Sequence, residues 1–213
     1  MPTDPPYARP SADDLAAARG REIEDWLRPD LDVLFCGINP GLYSAAVGLP
    51  FANPGTRFWK AMHEAGFTDR VLGPWERDAF LDAGLGMTNV VRRATARADE
   101  LTPEEIVAGG RRLVETAETY RPRWVAVLGL GAYRTAFADR RAAPGPPERP
   151  VGPARAWLPP HPTRLHPPPP PAPPPAPPAD PPVPPAPPAP PPACPPPRPR
   201  PAVAASPSPR PAT

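Results

Sequence analysis

The chain has 213 residues, 46 of them proline, and a formal net charge of +2. Of those prolines, 28 fall in residues 161–213, which excludes helix and central strand there, because proline lacks an N–H and fixes φ. With few large apolar residues to offset the entropy of ordering, residues 166–213 read as a disordered tail. Residues 161–213 carry four arginines and one aspartate against 20 basic and 21 acidic residues in the first 160, so any nucleic-acid binding by the folded part needs a local patch, not a basic domain.

Residues 1–10 read as a disordered lead-in. Ser11 with Asp14 three positions on predicts a capped helix running to about Leu27, before Pro29. The apolar run Leu31–Cys36 is of strand type. Gly37 to about Thr56, rich in Gly, Pro and Asn, reads as a long loop. Residues 57–66 and 75–83 read as helices and Gly86–Val91 as a strand. Thr102, Pro103, Glu104 and Glu105 form a strong helix start, with that helix lasting to about Tyr120. Trp124–Leu128 is a second apolar strand, Gly131–Ala138 a helix, and Ala154–Leu158 a last strand. Strands alternating with helices predict an α/β fold, a parallel sheet covered on both faces.

Cys36 lies in an apolar run and Cys194 in the proline tract. They offer neither metal-ligand spacing nor a disulfide framework, so no metal is expected. No apolar run reaches the roughly 18 residues of a membrane helix, and MPTDPPYARP has no apolar signal core; the chain reads as cytoplasmic. Lys60 is its single lysine. Abundant Arg, Ala, Pro and Gly point to a GC-rich, bacterial genome.

The segment that carries chemistry is Gly37-Ile38-Asn39-Pro40-Gly41-Leu42, directly after the first strand. In open α/β sheets ligands gather at the carboxyl ends of strands. Gly37 and Gly41 let the backbone approach a ligand, and Pro40 stiffens the turn. The amide of Asn39 cannot act as a base, but it can orient a water by accepting a hydrogen bond; alternatively it forms an Asx turn with its own backbone. The hexapeptide leaves both readings open. It is not a P-loop, having no Gly-Lys-Ser/Thr ending, and Gly129-Leu130-Gly131 lacks the third glycine of a dinucleotide fingerprint, Arg134 standing in its place.

The ordered blocks Gly37–Leu42, Gly48–Pro54, Arg57-Phe58-Trp59-Lys60, Ala65–Thr68, Gly86–Val91 and Gly109–Leu113 resemble the mismatch-specific uracil/thymine-DNA glycosylases, over about residues 30–165. The resemblance implies the uracil-DNA glycosylase fold, a three-layer α/β/α sandwich around a mainly parallel four-stranded sheet, spanning residues 11–165 here. It implies excision of uracil, and often thymine or other damaged pyrimidines, opposite guanine in double-stranded DNA, by a monomer without cofactor. The target nucleotide is flipped into a pocket. Asn39 matches the residue that positions the water attacking C1′, and Phe51 the aromatic that stacks on the base. Gly37, Ile38, Pro40 and Gly41 line the base, Ile38 through its backbone, and Ser44 falls where a small residue faces the pyrimidine C5. Asn89 occupies a pocket-side polar position, with a strand-end turn an equally good account. No aspartate stands beside the asparagine, so the leaving base departs as a stabilised anion and the chemistry is expected to be slow. Arg92, Arg93 and Arg97 are candidate phosphate contacts, whereas Arg111 and Arg112 fit a solvated helix face.

The second motif of that family, Asn-Pro-Ser-Gly-Leu, departs here. The chain reads Trp157-Leu158-Pro159-Pro160-His161-Pro162-Thr163-Arg164-Leu165. His161, Pro162, Thr163, Arg164 and Leu165 are the expected DNA-binding loop, with Leu165 the wedge; His161 is a substituted loop residue or a base. Beyond it the family's closing helix is replaced by proline tract. That tract is either a polyproline arm for a proline-binding domain or the product of a shifted reading frame. The rival to the enzyme is a degraded, non-catalytic domain with that arm as its interaction module.

Overall fold

The structure, a computed structural model, describes residues 5–159. Four strands, β1 (Val33–Gly37), β2 (Leu85–Asn89), β3 (Trp124–Val127) and β4 (Arg155–Trp157), form one sheet. Its order is β2-β1-β3-β4 and every pairing is parallel. Among the described residues six α-helices and one short 3-10 helix (Ala98–Glu100) accompany it: α1 (Ala12–Ala17), α2 (Leu42–Val47), α3 (Phe58–Glu64), α4 (Arg77–Asp82), α5 (Pro103–Tyr120) and α6 (Leu130–Ala136).

Alternation along the strands divides the core in two. Leu34, Cys36, Val125 and Val127 face Leu113 and Ala117 of α5 and Tyr133 of α6. Val33, Phe35, Met87 and Ala126 face Trp59 and Met62 of α3 and Phe80 of α4. Burial on both faces explains why β1 and β3 read as continuous apolar runs. The result is the α/β/α sandwich expected.

Helix α5 is built as its sequence predicts. The Thr102 hydroxyl accepts from Glu105 N, the Glu105 carboxylate accepts from Thr102 N, and Pro103 opens the first turn. Thr102→Ala is expected to lower unfolding stability by about 1 kcal/mol, read as a shift in urea midpoint at constant slope. Gly109 lets this helix cross the exit of β2, since a Cβ there would meet Val90 O at 2.0 Å.

Two expectations are corrected. The first helix ends at Ala17, not near Leu27. Gly20 takes a positive φ of 78°, and the chain then runs extended along β2, Trp26 and Met87 exchanging backbone hydrogen bonds of 2.8 and 2.9 Å. Trp26 is buried there among the α3 and α4 side chains, and Ile23 in a small cluster with Ala18, Ala45 and Ala94. The supposed loop 37–56 contains α2, six residues between Gly41 and a left-handed Gly48. Of the lead-in, residues 5–10 are described, and Tyr7 sits edge-on to Trp75 with ring centroids 6.1 Å apart. No described helix is long and apolar enough to cross a membrane.

Candidate active site

Strand order reverses around β1, so the carboxyl ends of β1 and β3 form a topological switch point, the usual ligand crevice of an open α/β sheet. A cleft of about 240 Å³ lies there, lined by the loop after β1 (Gly37–Gly41), Asn89 at the end of β2 and Leu128 after β3. Ser44 and Phe51 complete the wall from the expected set. Ile23, Pro50, Ala98 and Leu128 also line it, unforeseen from the sequence.

The loop after β1 is laced to residues 90–95. Val90 N donates to Gly37 O, Val91 N to Ile38 O and Thr95 N to Pro40 O, at 2.8, 2.9 and 3.2 Å. Asn39 adds its side chain: Nδ2 donates to Arg93 O at 3.0 Å and to Thr95 Oγ1 at 2.7 Å. It therefore makes no Asx turn. The Arg93 carbonyl can only accept, and the Thr95 hydroxyl already donates to Arg97 O at 2.7 Å, so the amide orientation is fixed by its partners. Both amide hydrogens are engaged, and no donor among the described residues reaches Oδ1. Asn39 thus offers the cleft one fixed acceptor.

Phe51 is held in a strained conformation, φ 47°, where a residue with a side chain costs on the order of 1–3 kcal/mol. Three contacts maintain it. Its ring stacks on Phe58 at 4.2 Å between centroids and 12° between planes. Trp59 Nε1 donates to Phe51 O at 3.1 Å. The next residue, Ala52, donates N–H to Ser44 Oγ at 3.1 Å. Ser44 thus fastens the loop that carries Phe51 as well as lining the cleft.

Asn89 pairs with Gly37 in the ladder, and its amide lies over that glycine, Oδ1 2.5 Å from where a Cβ would stand. It is only 8% exposed, lines the cleft, and makes no side-chain hydrogen bond within the described chain. Its amide atoms are not among the buried unpartnered ones of the described chain, so they are open to the cleft and free to pair with water or a ligand. Its backbone is secured from behind: Arg112 Nη2 donates to Asn89 O at 2.6 Å and to Val90 O at 3.1 Å. Arg112 therefore is turned inward and is not on the solvated face expected.

The other arginines are placed as follows. Arg93 forks onto Glu105, through Nε to Oε1 and through Nη2 to Oε2 at 2.8 Å, and donates to Glu100 O at 3.0 Å. Arg97 pairs with Asp99 at 2.6 Å. Arg92 Nε lies 3.0 Å from a Glu22 carboxylate oxygen, but its N–H is not aimed there, so this is an ion pair without a hydrogen bond. Arg111 is exposed. His161, Pro162, Thr163, Arg164 and Leu165, with the tail, lie outside the described residues.

Among the described residues, no Asp, Glu, His, Lys, Arg, Cys or Tyr lines the cleft. An overlooked carboxyl is Asp25, half-buried, where burial pushes its pKa up against the opposing Thr88 hydroxyl, Arg92 and Arg112. It does not line the cleft. Cys36 is fully buried and burial pushes its thiol far up, so it is inert packing. Among the described residues no cluster of His, Cys, Asp or Glu fits a metal ion.

A parallel four-stranded α/β/α sandwich with a neutral, amide-lined cleft at its switch point offers a ligand site in which polar groups orient and do not ionise. The chain matches the uracil DNA glycosylase superfamily over residues 24–211, and it belongs to that superfamily. Membership makes it a DNA-binding glycosylase of the repair type, a hydrolase acting on DNA.

Proposed function

We propose that the chain excises uracil, and with less efficiency thymine or other altered pyrimidines, from positions opposite guanine in double-stranded DNA. The observation that carries this reading is the Asn39 amide, its two hydrogens fixed by Arg93 O and Thr95 Oγ1 and its Oδ1 left as an acceptor at the cleft. A flipped nucleotide stacks its base on the free side of Phe51, whose other face is taken by Phe58. Asn89 supplies one donor and one acceptor to the polar edge of the base from its cleft-facing amide. Ser44 leaves room beside C5.

A water held by Asn39 Oδ1 then attacks C1′. The C1′–N1 bond breaks, its electron pair leaves with the base as an anion, and the water proton passes to solvent. Asn39 accepts a hydrogen bond and no proton, so the barrier is lowered by positioning and not by general-base catalysis. Loop residues His161 to Leu165, with Leu165 as wedge, and Arg92 as a phosphate contact, belong to the same reading. The protein acts as a monomer.

With no ionisable side chain among the described residues that line the cleft, single-turnover excision is expected to be flat between about pH 6 and pH 8. A step in the usual histidine range would instead bring His161 into the chemistry. The substrate assignment is tested by ranking single-turnover rates on G·U, A·U, G·T and single-stranded uracil substrates. The reading predicts G·U fastest; equal rates on G·U and A·U would remove the mismatch preference.

A further inference from the structure

Arg93 holds two positions at once. Its carbonyl receives an amide hydrogen of Asn39 at 3.0 Å. Its guanidinium grips Glu105 with two hydrogen bonds and reaches Glu100 O at 3.0 Å. Glu105 is itself built into the capping box of α5, where Oε2 also accepts from Thr102 N at 2.8 Å. Helix α5 is seated without slack, because Gly109 and Gly110 bring it against Val90 O and Ala136. A rigid chain of contacts therefore runs from α5 through Glu105 and Arg93 to the amide of Asn39.

We propose that Arg93 is a positioning residue for Asn39, referenced to α5 by Glu105, and not a phosphate contact. The inference rests on the role given to Asn39 above. An ion pair of fork geometry fixes direction as well as distance, which a point-charge lysine cannot reproduce. The Arg93 carbonyl is thereby kept where the Asn39 amide needs it, and Oδ1 keeps its aim. The Glu105 carboxylate, held down to about 2 by Arg93 and then by Thr102 N–H, stays ionised wherever DNA is bound. The pair is present above that value and is lost only as pH falls through it.

The test uses the full chain with Arg93→Lys and Glu105→Gln. Glutamine retains the helix cap while removing the charge that holds Arg93. Three quantities are read: single-turnover excision at saturating enzyme, affinity for a G·U duplex with its salt slope, and solvent exchange of the Asn39 side-chain amide by NMR. The proposal predicts about a tenfold slower excision in both variants, affinity and salt slope unchanged within about twofold, and faster Asn39 amide exchange. Unchanged excision in both variants, even with a lowered thermal midpoint, would overturn it. So would tighter, more salt-sensitive DNA binding in Glu105→Gln, since that reports an arginine released onto phosphate. If the unmodified chain excises nothing, the function assigned to the cleft fails while Asn39 amide exchange still decides the clamp: unchanged exchange rejects it and accelerated exchange supports it.

Discussion

Asn39→Ala is expected to slow single-turnover release of uracil from a G·U duplex by about 10²- to 10³-fold, the range associated with losing one group that positions or polarises a reactant. The substitution removes the fixed side-chain acceptor that the loop after β1 presents to the cleft. It also frees Arg93 O and Thr95 Oγ1, the two groups that set the amide's direction. Arg93 is half-buried, and the buried Thr95 hydroxyl keeps its own bond to Arg97 O, so the cost to folding is that of two lost hydrogen bonds, about 1 kcal/mol each. DNA affinity is expected to be nearly unchanged, because phosphate contacts supply most of it. Excision rates, duplex affinity and a urea midpoint measured on the same preparation separate these effects. A rate within about threefold of the unmodified chain would remove Asn39 from the chemistry.

Gly37→Ala is expected to reduce excision by a comparable factor, about 10²-fold, by a different route. Its backbone is not in the left-handed region, so alanine meets no φ penalty. The added Cβ would stand 2.5 Å from Asn89 Oδ1 and 3.4 Å from Phe51 Cζ. Gly37 is bonded into the central strand and cannot move, so the Asn89 amide must turn away and the space beside Phe51 closes. Displacing the end of one side chain costs about 1–2 kcal/mol of stability. Gly131→Ala, where nothing lies within 4 Å of the new Cβ, serves as the control and is expected to leave stability unchanged or slightly raised. Excision by Gly37→Ala at the unmodified rate would show that the cleft does not hold the base where Asn89 and Phe51 place it.

The sheet was legible because its central strands are buried on both faces, so β1 and β3 appear as apolar runs whatever their neighbours do. Helix α5 was legible because its start is local chemistry: Thr102, Pro103 and Glu105 act within one turn. Helix α1 was overextended because Leu27 and Trp26 continue a helical spacing, while the winning interaction is a backbone pairing with Met87, about sixty residues away in sequence. Helix α2 is too short to show a period and is framed by glycines that also signal loops. At the site, the loop after β1 announced itself through Gly37, Asn39 and Gly41. What holds Asn39 did not, since Arg93 and Thr95 lie 54 and 56 residues away and neither carries a local mark. Arginine positions misled for a related reason. A guanidinium in sequence reads as a surface cation, yet Arg93 and Arg112 turn inward to Glu105 and to the carbonyls of Asn89 and Val90.

The most direct measurement is product analysis of the intact chain acting on a G·U duplex in the presence of EDTA. The account predicts free uracil and an abasic strand in equal amounts, formed slowly and without metal. A duplex recovered intact under saturating enzyme, its uracil still attached, would contradict it and leave the cleft as a binding site in a protein that no longer cleaves.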